Sequence, residues 1–145
     1  MEIQKKLGKD RNMIYEYPLQ TGKEGFIDIT DKVRDAVRQS GVFDGMATVY
    51  CPHTTAGVTI NENADPDVVS DMLLALDRTY SDRVEFRHVE GNSAAHLKAS
   101  VIGSSVTVMI DDGKLVLGRW QGIYFTEFDG PRTRRFSVKV IGQIR

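Results

Sequence analysis

The chain has 145 residues, of which 41% are hydrophobic and 27% charged, the ordinary balance of a single globular domain. Lys and Arg number 19 against 20 Asp and Glu, and this net charge of −1 excludes a general electrostatic attraction to nucleic acid or to an anionic membrane. The one cysteine, Cys51, excludes an internal disulfide, and no apolar run approaches the roughly 18 residues of a membrane span, so we expect a cytoplasmic protein.

The first half of the chain predicts short strands and two helices. Alternating and β-branched patterns favour strands over 13–19, 25–29, 45–50 and 57–61. A helix capped by Thr30 or Asp31 is expected to end at Gly41. Asp65 and Pro66 begin a second helix. Its apolar stripe, assigned to the core, consists of Val68, Val69, Met72, Leu73 and Leu76.

The second half predicts an extended segment, a short helix and a run of strands. Residues 84–88 are expected to be extended, and Asn92 or Ser93 caps a helix that reaches about Ser100. Four strands follow over 105–110, 114–117, 121–128 and 135–141, with a hairpin turn at Asp112-Gly113. This order predicts one α+β domain over 1–145, with mostly antiparallel β-sheets and two longer helices and one short helix packed on them.

The three histidines all lie in polar stretches rich in Asn, Thr, Glu and Gly. His53 belongs to the segment CPHTTAG, and His88 and His96 flank a Gly-Asn-Ser sequence. Neutral imidazole is both a common metal ligand and the usual general base near pH 7. Two interpretations stand: one polar site built from two segments, or three unrelated surface histidines.

Each segment has a functional and a structural interpretation. In the first, Thr54 and Thr55 offer hydroxyl donors, and Asn61 and Glu62 end a strand beside a helix start, although Thr-Thr also suits a strand and 61–65 a turn with a cap. In the second, the free N–H groups at a helix start favour an anion. That anion pocket is formed by Asn92, Ser93, His96 and Lys98, and the alternative is an ordinary cap with a solvated histidine.

A divalent metal is a further hypothesis, with His53, His88 and His96 as its ligands. Catalytic zinc commonly has three protein ligands and one open position. Magnesium would prefer carboxylates and substrate phosphates. The candidates for a fourth ligand or a general base are Glu62, Asp65 and Glu90. Cys51 could form a nucleophilic pair with His53, but a buried, unreactive thiol is the preferred interpretation because no motif supports its activation.

A third polar cluster contains arginines that suit a phosphate or a carboxylate. Arg119 and Gln121 flank Trp120, for which we prefer a place in the core. Arg132 follows a Gly-Pro turn and is succeeded by two further arginines, at 134 and 135. These three form an anion clamp or pair with Glu127 and Asp129 across a subunit contact.

Five motifs in this order carry a family resemblance: HTTAGVTINE at 53–62, DPDV at 65–68, His88 with EGNSAAH at 90–96, LGRWQ at 117–121 and EFDGPR at 127–132. Together they resemble the YjbQ-like family, whose members are often labelled secondary thiamine-phosphate synthase. The resemblance extends from about Phe26 to Gly142. It implies an α+β homotrimer in which the histidine and Asn-Glu motifs gather in one polar, metal-occupied pocket near a subunit interface.

The resemblance also implies a weak, secondary activity that joins hydroxymethylpyrimidine diphosphate to thiazole phosphate and releases diphosphate. The expected catalytic residues are His53, Glu62 and His96. The expected ligand-binding residues are Thr54, Thr55, Asn61, Asn92, Ser93, Lys98, Arg119, Gln121 and Arg132. We therefore expect an enzyme for a phosphorylated small molecule with a zinc or magnesium ion. The alternatives are a zinc-dependent hydrolase of a phosphate ester or amide, and a non-catalytic binder of an anionic metabolite.

Overall fold

The computed structural model describes residues 4–7 and 13–144. Within these ranges the helices are α1 Thr30–Ser40, α2 Pro66–Thr79 and α3 Ser93–Ile102. The strands are β1 Gln4–Leu7, β2 Met13–Gln20, β3 Gly25–Asp28, β4 Val42–Tyr50, β5 Ala56–Glu62, β6 Ser105–Asp111, β7 Lys114–Leu115, β8 Gln121–Glu127 and β9 Thr133–Ile144.

The strands form two antiparallel sheets. The larger sheet has the order β1-β2-β9-β4-β6-β7, and the smaller has the order β3-β8-β5. Every residue from 122 to 127 in β8 is buried, because this middle strand is covered on both faces. The predicted α+β class and the mostly antiparallel pairing are confirmed.

One main core lies between the two sheets and α1. Its largest fully buried side chains include Tyr15, Tyr17, Phe125 and Phe136, and the rings of Tyr17 and Phe136 stack with their centroids 5.2 Å apart. A second, smaller cluster joins α2 and α3 to β3 and to Phe128. The chain segments just before β5 and just after β8 therefore lie between two packed layers. Both segments contribute residues to the candidate site described below.

Local chemistry sets the ends of α1. The helix begins at Thr30, whose N–H and hydroxyl both donate to Asp28 Oδ1, at 2.9 and 2.5 Å. The cap position is Ile29 and has no side-chain hydrogen bond, so the predicted cap at Thr30 or Asp31 is displaced by one to two residues. Gly41 ends the helix with a φ of 71°, as predicted.

Two expectations from the sequence, for residues 84–88 and for Trp120, are wrong, and the one for the apolar stripe of α2 is confirmed only in part. Residues 84–88 form no strand and are exposed, because no neighbouring strand is available to pair with them. No residue of α2 is fully buried, so its apolar stripe is only partly covered by this chain. Trp120 is 53% exposed and does not belong to the core. None of the helices in the described ranges is both long and apolar enough to cross a membrane.

Candidate functional site

His53 lies in the connection between the two sheets, where β4 has ended and β5 has not begun. Its Nε2 atom is 3.1 Å from both the backbone nitrogen and the backbone oxygen of Arg135 in β9. Its ring meets the buried ring of Phe125 edge to face, with 6.3 Å between the centroids. The imidazole is therefore held from two sides while part of it stays accessible.

His96 lies in the first turns of α3 and faces the same space as His53. Two cavities, of about 460 and 320 Å³, share His53, Thr54 and His96 in their walls. We call these adjoining cavities the histidine pocket. The other residues of the larger cavity are Ala56, Ala99, Ser100, Gly103 and Ser104. Those of the smaller cavity are Pro52, Thr55, Glu90, Asn92, Asp129, Arg132 and Arg134. Both volumes are of the size that small-molecule sites have.

A buried ion pair lies beneath the smaller cavity. Arg134 donates from Nε and Nη2 to the two carboxylate oxygens of Glu127, at 2.8 and 2.6 Å, and from Nη2 to Thr55 Oγ1 at 2.8 Å. The Thr21 hydroxyl and the Asp129 N–H donate to the same carboxylate. Burial disfavours the charged form of Glu127, but these hydrogen bonds outweigh it and lower the pKa of the carboxyl group.

Arg132 and Asn92 are organised around Asp129. Arg132 donates from Nε to the Asp129 carbonyl at 2.7 Å and from Nη2 to its carboxylate at 3.0 Å. Asn92 donates from Nδ2 to the same carboxylate at 2.8 Å, and its buried Oδ1 has no partner among the described residues. Asn92 does not cap α3 through its side chain, because Asp82 accepts the Ala94 N–H at 3.0 Å. The Asn92 amide therefore belongs to the pocket wall.

The pocket favours the neutral form of His53. Burial is the largest cause that lowers the pKa of this imidazole, and the positive charges of Arg134 and Arg135 lower it further. Burial also makes the neighbouring Cys51 thiol unreactive. Burial raises the pKa of Cys51 to about 11, which leaves almost no thiolate at neutral pH and confirms the interpretation of a buried thiol.

Lys98 lies outside this pocket. Its ammonium, on a residue only 6% exposed, is bound by Glu24 Oε1 at 3.1 Å and by Asp77, and it lies 5.9 Å from the centroid of the Phe128 ring. Burial opposes the charge, but the two carboxylates more than compensate and raise the pKa of Lys98. The ion triad ties α3 to α2, and we do not count Lys98 among the groups facing a ligand.

A separate cluster lies at the other end of the smaller sheet and contains Asn61, Glu62, Arg119 and Gln121. Ala56 pairs with Glu127 beside the histidine pocket, whereas Glu62 pairs with Gln121 six residues further along. A strand rises about 3.4 Å per residue, so the two ends are about 20 Å apart. Within one chain the histidine and Asn-Glu motifs therefore lie in two separate clusters.

The residues of that second cluster are engaged locally. Asn61 Oδ1 accepts the N–H of Glu62 at 2.7 Å, and the Glu62 carbonyl accepts the Tyr124 hydroxyl at 3.1 Å. Gln121 Oε1 accepts the Gly118 N–H at 2.7 Å. The guanidinium of Arg119 lies 4.7 Å from the centroid of the Trp120 ring, a cation–π distance.

The histidines do not form a ready three-ligand metal site. The rings of His88 and His96 meet edge to face with centroids 5.5 Å apart, but His88 lines neither cavity. In the described ranges no group of three or more His, Cys, Asp or Glu side chains converges as a metal site requires. His53, His88 and His96 therefore do not converge on one metal ion within the described part of the chain.

Sequence reasoning identified polar residues of the smaller cavity but not the small side chains that line the larger one. Thr54, Thr55, Asn92 and Arg132 line the smaller cavity as expected, whereas Ser93 begins α3 without lining either cavity. The sequence suggested arginine pairs with Glu127 and Asp129 across a subunit contact, whereas Arg134 and Glu127 pair within one chain. The sequence offered one signal for it, a glutamate and an arginine on either side of a Gly-Pro turn.

A model of the family described as UPF0047 protein YjbQ-like matches residues 15–143. The chain belongs to this family. The YjbQ-like relatives include YugU of Bacillus subtilis, 54% identical over 123 residues that cover 84% of this chain and 93% of the relative. A UPF0047 protein of Methanocaldococcus jannaschii is 52% identical over 131 residues, 90% of this chain and 95% of the relative.

Solved YjbQ-like structures have the same fold. A family member from Clostridium acetobutylicum matches with a TM-score of 0.85 and 61% identity, over 87% of this chain and 98% of that one. A YbjQ-like protein of unknown function from Sulfolobus solfataricus matches with a TM-score of 0.85 at 30% identity, over 90% and 96%. The architecture is therefore retained where more than two thirds of the residues differ.

Proposed function

We propose that the protein is an enzyme that acts on a phosphorylated small molecule bound in the histidine pocket. The observation that carries this proposal is the convergence of two imidazoles, from His53 and His96, with two guanidinium groups, from Arg132 and Arg134, around one cavity. Guanidinium forks bind phosphate oxygens, and a neutral imidazole beside them can donate or accept a proton. The larger cavity, with its small side chains, leaves room for the organic part of the substrate.

The specific candidate reaction is a weak synthesis of thiamine phosphate, which the family resemblance suggested. The methylene carbon of the pyrimidine bonds to the thiazole nitrogen, and its bond to the diphosphate oxygen breaks. Because negative charge collects on the departing diphosphate, the groups that matter are those that bind it. Arg132 and Arg134 are placed to do so, with His53 and His96 supplying hydrogen-bond donors.

The test uses hydroxymethylpyrimidine diphosphate and thiazole phosphate with added magnesium, with thiamine phosphate as the product measured. We expect His53→Ala and His96→Ala to abolish turnover while both variants keep a cooperative thermal transition. Arg38→Ala, which removes an exposed guanidinium paired with Asp35 on α1, is the matched control and should retain turnover. Undiminished turnover in both histidine variants would refute the proposal. Stabilisation by the substrates without any product would favour a non-catalytic binder.

A divalent ion belongs to this proposal as a partner of the substrate. The phosphate oxygens of the substrate would supply most of its ligands, and His96 in the pocket wall is a neighbouring imidazole donor. Elemental analysis of protein purified without added metal separates the alternatives. Stoichiometric zinc would favour a hydrolase of a phosphate ester or amide, and dependence on added magnesium would favour transfer.

We also propose that the chain assembles as a homotrimer, as the resemblance implied. Apolar side chains that this chain leaves exposed support an assembly: Val84 and Val89 protrude almost fully, and Leu74 on α2 is half exposed. A net charge of −1 gives no support to a nucleic-acid partner.

A further inference from the structure

His53 occupies a position in the larger sheet that the main chain cannot fill. In the ladder between β4 and β9, Tyr50 pairs with Ser137, so the next equivalent position would pair Pro52 with Arg135. The Cys51 N–H donates to Ser104 O at 2.8 Å, on the side of β6. Because peptide groups alternate in direction along a strand, position 52 faces β9, and a proline there has no N–H to offer.

The imidazole of His53 takes over that missing pairing. Its Nε2 atom lies 3.1 Å from the Arg135 nitrogen and 3.1 Å from the Arg135 oxygen. The ring is thus anchored to one peptide donor and one peptide acceptor at equal distance. Whichever neutral tautomer is present, Nε2 has a partner: it donates to the carbonyl when protonated and accepts from the N–H when it is not.

The other ring nitrogen is open to the cavity. Nδ1 takes part in no hydrogen bond with the described residues, and it is not among the buried polar atoms that lack a partner. Since His53 lines both cavities of the histidine pocket, Nδ1 is the ring nitrogen that a ligand can reach.

We infer that His53 meets its ligand through Nδ1, and that the main chain of Arg135 is the positioning group that lets the ring present Nδ1 either as a donor or as an acceptor. This inference rests on the proposed function of the histidine pocket. It adds which ring atom of His53 contacts the ligand and whether that atom donates or accepts a hydrogen bond. A bound phosphate oxygen selects the tautomer with hydrogen on Nδ1, which donates to the anion, while Nε2 accepts the Arg135 N–H. A ligand group that donates a hydrogen bond selects the other neutral tautomer, with hydrogen on Nε2. Nε2 then donates to the Arg135 carbonyl, so the ring stays bound to the main chain.

The direct test is a two-bond ¹H–¹⁵N correlation spectrum of the histidine rings, recorded on the full chain at about pH 8 where an imidazole is neutral. On titration with inorganic phosphate, we expect His53 to move to the Nδ1–H tautomer. Phosphate binding with His53 in the Nε2–H tautomer would overturn the inference. If phosphate neither shifts the signals of any histidine ring nor raises Tm, the proposed binding of a phosphorylated ligand in the histidine pocket is overturned as well.

Two variants separate the ring nitrogens without spectroscopy. An Asn side chain places its amide near the position of Nδ1, and a Gln side chain places its amide near that of Nε2. We expect His53→Gln to keep Tm without phosphate and to bind phosphate at least about tenfold more weakly, as loss of a charge-assisted hydrogen bond predicts. His53→Asn should lose Tm through the broken Arg135 anchor but bind phosphate within a few-fold of the wild type. The reverse order of the two variants would overturn the inference.

Discussion

Glu127 is the residue on which the charge balance of the pocket depends. Its side chain is only 1% exposed, and its two oxygens accept hydrogen bonds from Thr21, Arg134 and the Asp129 N–H. A buried ion pair of this kind contributes little compared with an apolar pair, but removal of one partner leaves an uncompensated charge. Glu127 therefore fixes the position of the Arg134 guanidinium in the wall of the smaller cavity.

Glu127→Gln should therefore lower the free energy of unfolding by about 3–5 kcal/mol in a urea titration. Asp35→Asn, which breaks the exposed pair with Arg38, is the control and should change it far less. The pH dependence has a defined sign. Because the pKa of Glu127 is lowered in the folded state, its stabilisation is full above the ordinary carboxyl pKa and is lost as pH falls through the lowered value. A variant with unchanged stability at neutral pH would contradict this account.

At the scale of elements, the pocket depends on the close approach of β5 to the connection between α3 and β6. The Val58 N–H donates to the Gly103 carbonyl at 3.0 Å, and a Cβ atom on Gly57 would lie only 2.5 Å from that same oxygen. Gly103 also lines the larger cavity. The absence of a side chain at position 57 thus permits the close approach of β5 to Gly103 in the pocket wall.

We expect Gly57→Ala to destabilise the fold by about 1–3 kcal/mol, the usual cost of overpacking, and to reduce the thermal stabilisation by phosphate. Gly25→Ala is the matched control, since Gly25 is also a strand glycine of the smaller sheet and a Cβ there would meet nothing within 4 Å. Urea titration and thermal melts with and without phosphate measure both effects. An equal response of the two variants would show that the approach of Gly103 is not the limiting contact.

The elements that could be predicted are those whose signals are local. Gly41 and the Asp112-Gly113 turn were identified correctly because each conformation is set by the residue itself, with φ of 71° at Gly41 and 51° at Asp112. The extended state of residues 84–88 was wrong because a strand needs a partner, and no local pattern supplies one. His53 and His96 lie in one pocket because of the strand order β3-β8-β5 and the packing of α3. The spacing of the histidines in the sequence indicates neither of these features.

At the scale of the whole molecule, two polar clusters lie at opposite ends of the smaller sheet. The cluster beside the histidine pocket contains Arg132, Arg134 and Arg135, whereas Glu62 and Asp65 lie at the other end. An association that brings this end of one copy to the histidine pocket of another would place Glu62 near His53. In this arrangement the histidine motif of one copy and the Asn-Glu motif of another would belong to one site.

The proposed homotrimer makes this arrangement testable. Residues 81–91 are exposed almost throughout, and Val84 and Val89 are 97% and 100% exposed, an unusual position for apolar side chains unless another copy covers them. We expect light scattering to give three times the 16.2 kDa mass of one chain, and Val84→Asp combined with Val89→Asp to give the single-chain mass. Val116→Asp, a matched change at another exposed valine, should leave the trimer intact. If the double variant stays trimeric, this loop does not form the interface, and a wild-type mass of 16.2 kDa at micromolar concentration would refute the assembly itself.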